Sequence, residues 1–572
     1  MLCVIVLQTL IIKEKVLSMV QYSSKALFFV VAILLFQLSC SAGDGSSGGA
    51  ALNKGPVENT CSGTYPAYWQ DMNPRFQAMW AGQTITNAPT EGWTGPIFQL
   101  SDKYPAQPVD DKDNQAWRNK KYDALFDGTA NETSKVALAT EYAWHIMAYI
   151  QAGNLNRPGK EDFDLCENAV RPWFHIPFQT YDAMSGREFI HGLTREAPVT
   201  FSVKSASGFA VSSMWAVGFY NATAAYTLGT MWTPEGVARI PVDDIKFDEG
   251  AVIAKPLFNT STIDELPVLA NMPSWNANIS DPVFCKCTST TGKKECTLIE
   301  ESQQCPRSYA NWNNVSLLQF DIAVKDSRAK DTQWVYGTFV ADGLRKKRVK
   351  EPWNRISLLG LMWGNDTPGK GEFAYNTPKD VRKNGFKEEV IIWDTVDELN
   401  RASGTAMARK LGHLGCNQRL NGPADNANSS CMSCHGTASV PDKNLLTPPL
   451  ISQFSAQTKQ CVSPVTNQTQ VGVDRSGASA SINKDINFSE IDGIYFANTA
   501  AGAPFNMTVQ TPEGPKHVMG KGVPTYADSE RTSWISLDYS LQSSIALKQW
   551  MQWQKHQSEA KEARIVDKEL RR

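Results

Sequence analysis

The chain has 572 residues, with 56 Lys and Arg against 58 Asp and Glu, a formal charge of -2 at pH 7, and 42% hydrophobic residues. That length exceeds one compact core and predicts roughly two to four domains. The near-neutral balance offers no strongly positive domain to release counterions from a polyanion, which excludes nucleic acid as a partner class.

The first predicted element is the apolar run ALFFVVAILLFQLSC, Ala26 to Cys40, preceded by Lys25 and followed by SAGDGSSGGAALNKG. Its core has the length of a signal-peptide apolar segment and falls short of a bilayer span. Residues 1–39 are therefore expected to be a signal peptide, with Met19 as its true start. The run ends in Leu38-Ser39-Cys40, which resembles a bacterial lipobox, although Gln37 stands where leucine is commonest. The expectation is a lipid on Cys40 and a flexible tether over residues 40–58. Cleavage after Ala42 is the alternative. Either outcome exports the protein, and lipidation makes it a periplasm-facing lipoprotein. Ser41 leans the reading toward the outer membrane rather than the inner one.

Residues 59–395 read as a β-rich region. VTFSVK, MWAVGFY, AAYTLGTMW, LLQFDIAVKD, QWVYGTFVA and EVIIWD are short, β-branched or aromatic, and bounded by Gly, Asn, Asp and Pro. In LLQFDIAVKD, Phe320, Ile322 and Val324 alternate with Gln319, Asp321 and Lys325, the pattern of a strand with one wet face. A helix is predicted from Ser134 to about Ala152. An internal duplication is also expected: FSVKS, Trp215 to Gly218 and Leu228 to Trp232 align in order with IAVKD, Trp334 to Gly337 and Leu359 to Trp363. This suggests two related sandwich-like modules, about 195–270 and 315–395. The region is rich in tryptophan, which fills cores more often than it lines ligand clefts. His175, Glu188 and His191 have the composition of a two-histidine, one-carboxylate metal site, but structural histidines are the preferred reading.

Of the 12 cysteines, Cys61, Cys166, Cys285, Cys287, Cys296, Cys305, Cys416 and Cys461 lie outside the leader and the motif discussed next. In an exported chain they are expected to form disulfide bonds. A small zinc site over Cys285 to Cys305 is the alternative.

Residues 429–439, SSCMSCHGTAS, carry Cys431, Cys434 and His435 in the spacing C-x-x-C-H. With this composition, chance would produce it roughly 0.003 times. Two thiols at this spacing can each add to a vinyl group on one porphyrin edge, and the adjacent imidazole can ligate the iron. Zinc lacks a close fourth ligand other than Cys416, and a thioredoxin-like disulfide lacks the βαβ setting. The reading is one covalent haem c on Cys431 and Cys434, with His435 as proximal iron ligand.

The stretch LNGPADNANSSCMSCHGTA, with helical segments before it and at the C-terminus, resembles bacterial monohaem c-type cytochromes, specifically large exported ones with an extra N-terminal region. The resemblance covers about residues 400–560 and implies a mainly α, class I-like haem domain over 396–560. The chain as a whole is then multidomain α+β, with a charged helical tail at 561–572. The candidate first helix is DTVDELNRASGTAMARKLGHLG, stopped by Gly415. The candidate last helix places Leu541, Ile545, Ala546, Trp550 and Trp553 on one apolar face. Class I-like domains take a distal methionine from the loop before the last helix, which implies Met519 in KHVMGKGVP, with Met507 or His517 as alternatives. The resemblance implies an electron carrier working with a redox protein partner. The alternatives are a haem-dependent oxidoreductase or peroxidase whose β-rich region binds substrate, and a surface ligand-binding protein with accessory haem.

Overall fold

All of the strand sequences above except AAYTLGTMW assemble into one antiparallel sheet, and the C-terminal segment covers one side of it. A computed structural model describes chiefly residues 103–178, 194–277, 285–298, 313–364, 378–403, 411–441, 505–520 and 534–554, with short breaks, and a few shorter stretches. The leader with Cys40, the tether, and Cys61, Cys166, Glu188, His191, Cys305, Cys416 and the 561–572 tail lie outside the described residues.

The sheet comprises β1 (Thr194–Ser205), β2 (Gly208–Ala216), β3 (Phe219–Tyr220), β4 (Val252–Asn259), β5 (Ser274–Ala277), β6 (Asn313–Lys325), β7 (Trp334–Ala341), β8 (Ile356–Met362) and β9 (Glu389–Ile391). Its order is β9-β8-β7-β6-β4-β2-β1, with β3 also on β4 and β5 also on β6. The fold is thus of mixed class, helices with an antiparallel sheet. Strands from both expected modules lie side by side in this one sheet.

The third stretch of the proposed duplication behaves differently in its two copies. Leu359 to Met362 end β8, whereas Leu228 to Met231 end the helix α2 (Ala222–Met231). AAYTLGTMW, expected as a strand, is therefore helical. The reason is local: Asn221 sits in extended conformation and its side chain accepts from the Ala224 N–H, capping the helix. Most of α2 is buried, so no polar face marks it as a helix in the sequence.

The predicted helix near residue 134 is α1 (Glu132–Gln151), started by Asn131, whose side chain accepts from the Ser134 N–H. On one side of the sheet Trp144 of α1 meets Phe339 edge-on at 5.0 Å, and Phe163 packs against Phe320 at 5.8 Å. Among the described tryptophans, Trp117, Trp215, Trp232, Trp334 and Trp363 are fully buried, so they build the core.

A run of five cations, Arg345, Lys346, Lys347, Arg348 and Lys350, follows β7. Two are committed to the turn, Arg345 to the Asp342 carboxylate at 2.7 Å and Lys346 to the Ile356 carbonyl. Among the described residues no helix is long and apolar enough to cross a membrane.

The other side of the sheet differs from expectation. Pairing places Asp321 opposite both Lys255 and Thr338, Ala323 opposite Tyr336, and Lys325 opposite Trp334. Gln319, Asp321 and Lys325 share that side by strand alternation. It is mostly dry: Gln319 is 0% exposed and Lys325 5%, while Asp321 is partly exposed. The C-terminal segment covers it.

Candidate functional site

The cover begins at Leu420. Gly422 passes so close to the Gln319 side chain that a Cβ there would lie 2.3 Å from Oε1. The Ala424 N–H donates to Gln319 Oε1 at 2.8 Å, and Gln319 Nε2 donates to Asp425 Oδ2 at 3.1 Å and to both Asp321 oxygens. The segment is thereby pinned to the sheet six residues before the motif. Burial, reinforced by the negative charge of Asp425, pushes the Asp321 carboxyl well above the usual carboxylate range, and Lys255 opposes this.

The motif itself is one short helix, α4 (Cys431–His435). Met432 is fully buried and Cys431 partly so, which anchors the helix through its apolar side. The helix carries Cys431, Cys434 and His435 within little more than one turn. The motif stands apart from the first helix expected over residues 394–415, as the fifteen residues between them required. α3 (Trp393–Ala402) stops early, because Ser403 turns its hydroxyl to the Leu399 carbonyl and accepts from the Leu411 N–H.

His435 Nδ1 lies 2.9 Å from the Tyr539 carbonyl oxygen. A carbonyl only accepts, so Nδ1 carries the proton and the neutral ring keeps its lone pair on Nε2. The Tyr336 hydroxyl donates to the same carbonyl at 3.0 Å, and its ring lies 4.4 Å from the imidazole. Although part of the imidazole reaches solvent, its surroundings lower its pKa to about 4, through burial first and the positive charge of Lys255 in addition. At neutral pH His435 is therefore an uncharged imidazole, the form a metal accepts as ligand.

Tyr539 is itself held by its neighbour. Lys325 Nζ donates to Asp538 at 2.8 and 2.7 Å, Trp334 Nε1 at 3.2 Å, and the Phe247 N–H at 2.8 Å. Past this turn, residues 541–547 and most of 549–554 are helical. Ala546, Leu547 and Trp550 are buried, and Trp553 meets Phe178 at 5.3 Å. Leu541 and Ile545, expected on the apolar face, are half-buried.

The distal candidates fall on a separate hairpin. β10 (Ser439–Pro441) precedes it and pairs with β13 (Trp534–Ser536), while β11 (Phe505–Thr511) and β12 (Gly514–Gly520) pair with each other. Met519 stands opposite Asn506, Met507 opposite Val518, and His517 opposite Thr508. The expected irregular loop at Met519 is instead strand up to Gly520.

His175, by contrast, is fully buried next to the Phe174 to Tyr220 bridge, and burial lowers its pKa to about 3. Elsewhere a hairpin of Cys285–Thr290 and Lys293–Leu298 sets Cys287 opposite Cys296.

Tyr336 and Tyr539 contact the predicted ligand, and Asp538 with Lys325 holds the turn that carries Tyr539, yet sequence reasoning missed all four. The only available signal was Asp538-Tyr539 immediately before the last helix, a place where a turn must present backbone groups.

The donor set suits haem c: two cysteines and a histidine on one helix, with the histidine held by Nδ1 and its Nε2 lone pair left for a metal. Compared with known protein families, with curated proteins and with solved structures, the chain matches none of them.

Proposed function

We propose that this chain is an exported monohaem c-type cytochrome that transfers electrons. The observation that carries the reading is the bond from His435 Nδ1 to the Tyr539 carbonyl on a helix that also bears Cys431 and Cys434. Cys431 and Cys434 would hold haem c through thioethers, and His435 would ligate its iron. Bound haem supplies a one-electron ferric/ferrous couple.

The protein's own contribution is positional. Tyr539 fixes which nitrogen of His435 carries the proton, Tyr336 packs against the ring, and burial keeps the ring neutral. Gln319 and the close approach of Gly422 tie the segment to a wide sheet, so little rearrangement would accompany a change of charge. A class I-like helical domain over 396–560 belongs to this reading, with α3 as first helix and the residues after 541 as last. So do Met519 as distal ligand, a lipid on Cys40 facing the periplasm from the outer membrane, disulfides among the remaining cysteines, and a redox protein partner.

A ferrous spectrum tests the electron-carrier role. A low-spin, six-coordinate spectrum unchanged by carbon monoxide is expected, and its loss in Met519→Ala would assign the distal ligand. A high-spin spectrum that shifts with carbon monoxide or peroxide would replace electron transfer with haem-based chemistry.

A further inference from the structure

The carbonyl that meets His435 belongs to an uncommon piece of backbone. Asp538 and Tyr539, neither of them glycine, both lie in the left-handed region, with φ of 48° and 66°. Such residues persist where their surroundings over-determine them. Here the surroundings are the sheet and the strand-like approach to it. Asp538 receives Lys325 from β6, Trp334 from β7 and the Phe247 backbone N–H, while its own N–H donates to Ser536 Oγ at 3.2 Å. The Lys325 and Asp538 side chains are 6% and 11% exposed, so water does not compete for these bonds. The residue after this anchor presents the carbonyl that accepts from both His435 and Tyr336.

We infer that Asp538 is a positioning residue: held by Lys325, Trp334 and the Phe247 N–H, it fixes the 538–539 turn so that Tyr539 keeps the His435 proton on Nδ1. For the iron this consequence rests on the haem reading above. A proton on Nδ1 that is shared with a carbonyl makes the other nitrogen more basic, and a more basic ligand favours ferric over ferrous iron. The N-terminal sheet then has a defined task toward the C-terminal motif. Its strands β6 and β7 reach through Asp538 to set the ligand's tautomer, orientation and donor strength.

Two double variants of the full-length chain test this, because they remove the same two charges and differ only in the anchor. Lys325→Met/Asp538→Asn keeps an amide oxygen for Trp334 and the Phe247 N–H. Lys325→Met/Asp538→Ala keeps none. In protein matured with haem-attachment machinery, the alanine double is expected to raise the midpoint potential by about 59 mV, a tenfold weaker preference for ferric iron. The asparagine double should stay near the parent. In full-length chain made without that machinery, nitrogen-15 spectra should show the Nδ1–H tautomer of His435 in the parent and the asparagine double, and a tautomer mixture in the alanine double.

Equal potentials and equal tautomers in the two doubles would overturn the inference. Should the alanine double not fold, Trp334→Phe removes one anchor alone and is expected to shift both readings in the same direction by less; no shift there overturns it as well. If the parent takes up no haem, the functional reading fails while the tautomer measurement still decides the role of Asp538.

Discussion

Lys325 and Asp538, 213 residues apart in the chain, form a nearly buried ion pair with a nitrogen–oxygen distance of 2.7 Å. This pair joins the central strand of the sheet to the turn that precedes the last helix. Burial lowers the Lys325 pKa and the Asp538 carboxylate raises it, so the cation depends on its partner. Neither residue belongs to a recognisable motif, yet together they connect the two halves of the molecule.

Removing one partner should therefore cost more than removing both charges. Lys325→Met is expected to lower the unfolding free energy by about 3–5 kcal/mol, because Asp538 stays buried without its cation. Lys325→Met/Asp538→Asn should recover much of that loss. Denaturant unfolding followed by tryptophan fluorescence measures both, and equal losses would show that the pair is not coupled.

Asp321 makes stability depend on pH. Its folded-state pKa is raised, so the folded chain binds more protons than the unfolded chain between the unfolded value, about 3.9, and the folded one. The carboxyl consequently costs stability as pH rises through that window. Asp321→Asn, which preserves an acceptor for Thr338, is expected to stabilise the protein by about 1 kcal/mol at pH 7 and to have little effect below pH 4. Denaturant midpoints at the two pH values check this, and a destabilised variant at pH 7 would contradict the raised pKa that Asp425 and desolvation give Asp321.

Two glycines in neighbouring strands should respond unequally to alanine. A Cβ at Gly360 would meet the Val390 carbonyl oxygen at 2.4 Å and Leu420 Cδ1 at 2.7 Å, the first a backbone atom that cannot rotate away. At Gly337 it would meet Leu361 Cδ2 at 2.6 Å, the far end of a side chain. Gly360→Ala is expected to cost about 2–3 kcal/mol and Gly337→Ala less. Melting temperatures rank them.

Asn221 does more than cap α2. Its Oδ1 accepts from the Ala224 and Val252 N–H groups, and its Nδ2 donates to Tyr149 Oη and the Gly250 carbonyl. Since the residue is 1% exposed, Asn221→Ala should cost about 2–4 kcal/mol, above the range of an exposed cap. A loss under 1 kcal/mol in denaturant titration would show that water replaces these bonds.

The local parts of this architecture were legible and the long-range parts were not. The helix expected from Ser134 to about Ala152 is α1, Glu132–Gln151, and Asn131 is the local cap that sets its start. The alternation of Gln319, Asp321 and Lys325 with Phe320, Ile322 and Val324 correctly marked a strand. It gave the wrong partner for the polar side, because the chain that covers it lies about a hundred residues or more downstream. α2 escaped because a buried, alanine- and threonine-containing helix has no polar stripe, leaving only the cap at Asn221 as a signal. The motif pointed directly to Cys431, Cys434 and His435. The Tyr539 carbonyl did not show, since a backbone acceptor leaves no trace in residue type.

The proposed electron transfer requires a covalent haem, and one measurement addresses that directly. Full-length protein matured in a host with cytochrome assembly machinery is to be assayed by pyridine haemochrome and intact mass together, alongside Cys431→Ser/Cys434→Ser. A c-type haemochrome with the added mass of one haem is expected in the parent and neither in the variant. Colourless parent protein without that added mass, or an unchanged haem signal in the variant, would contradict it.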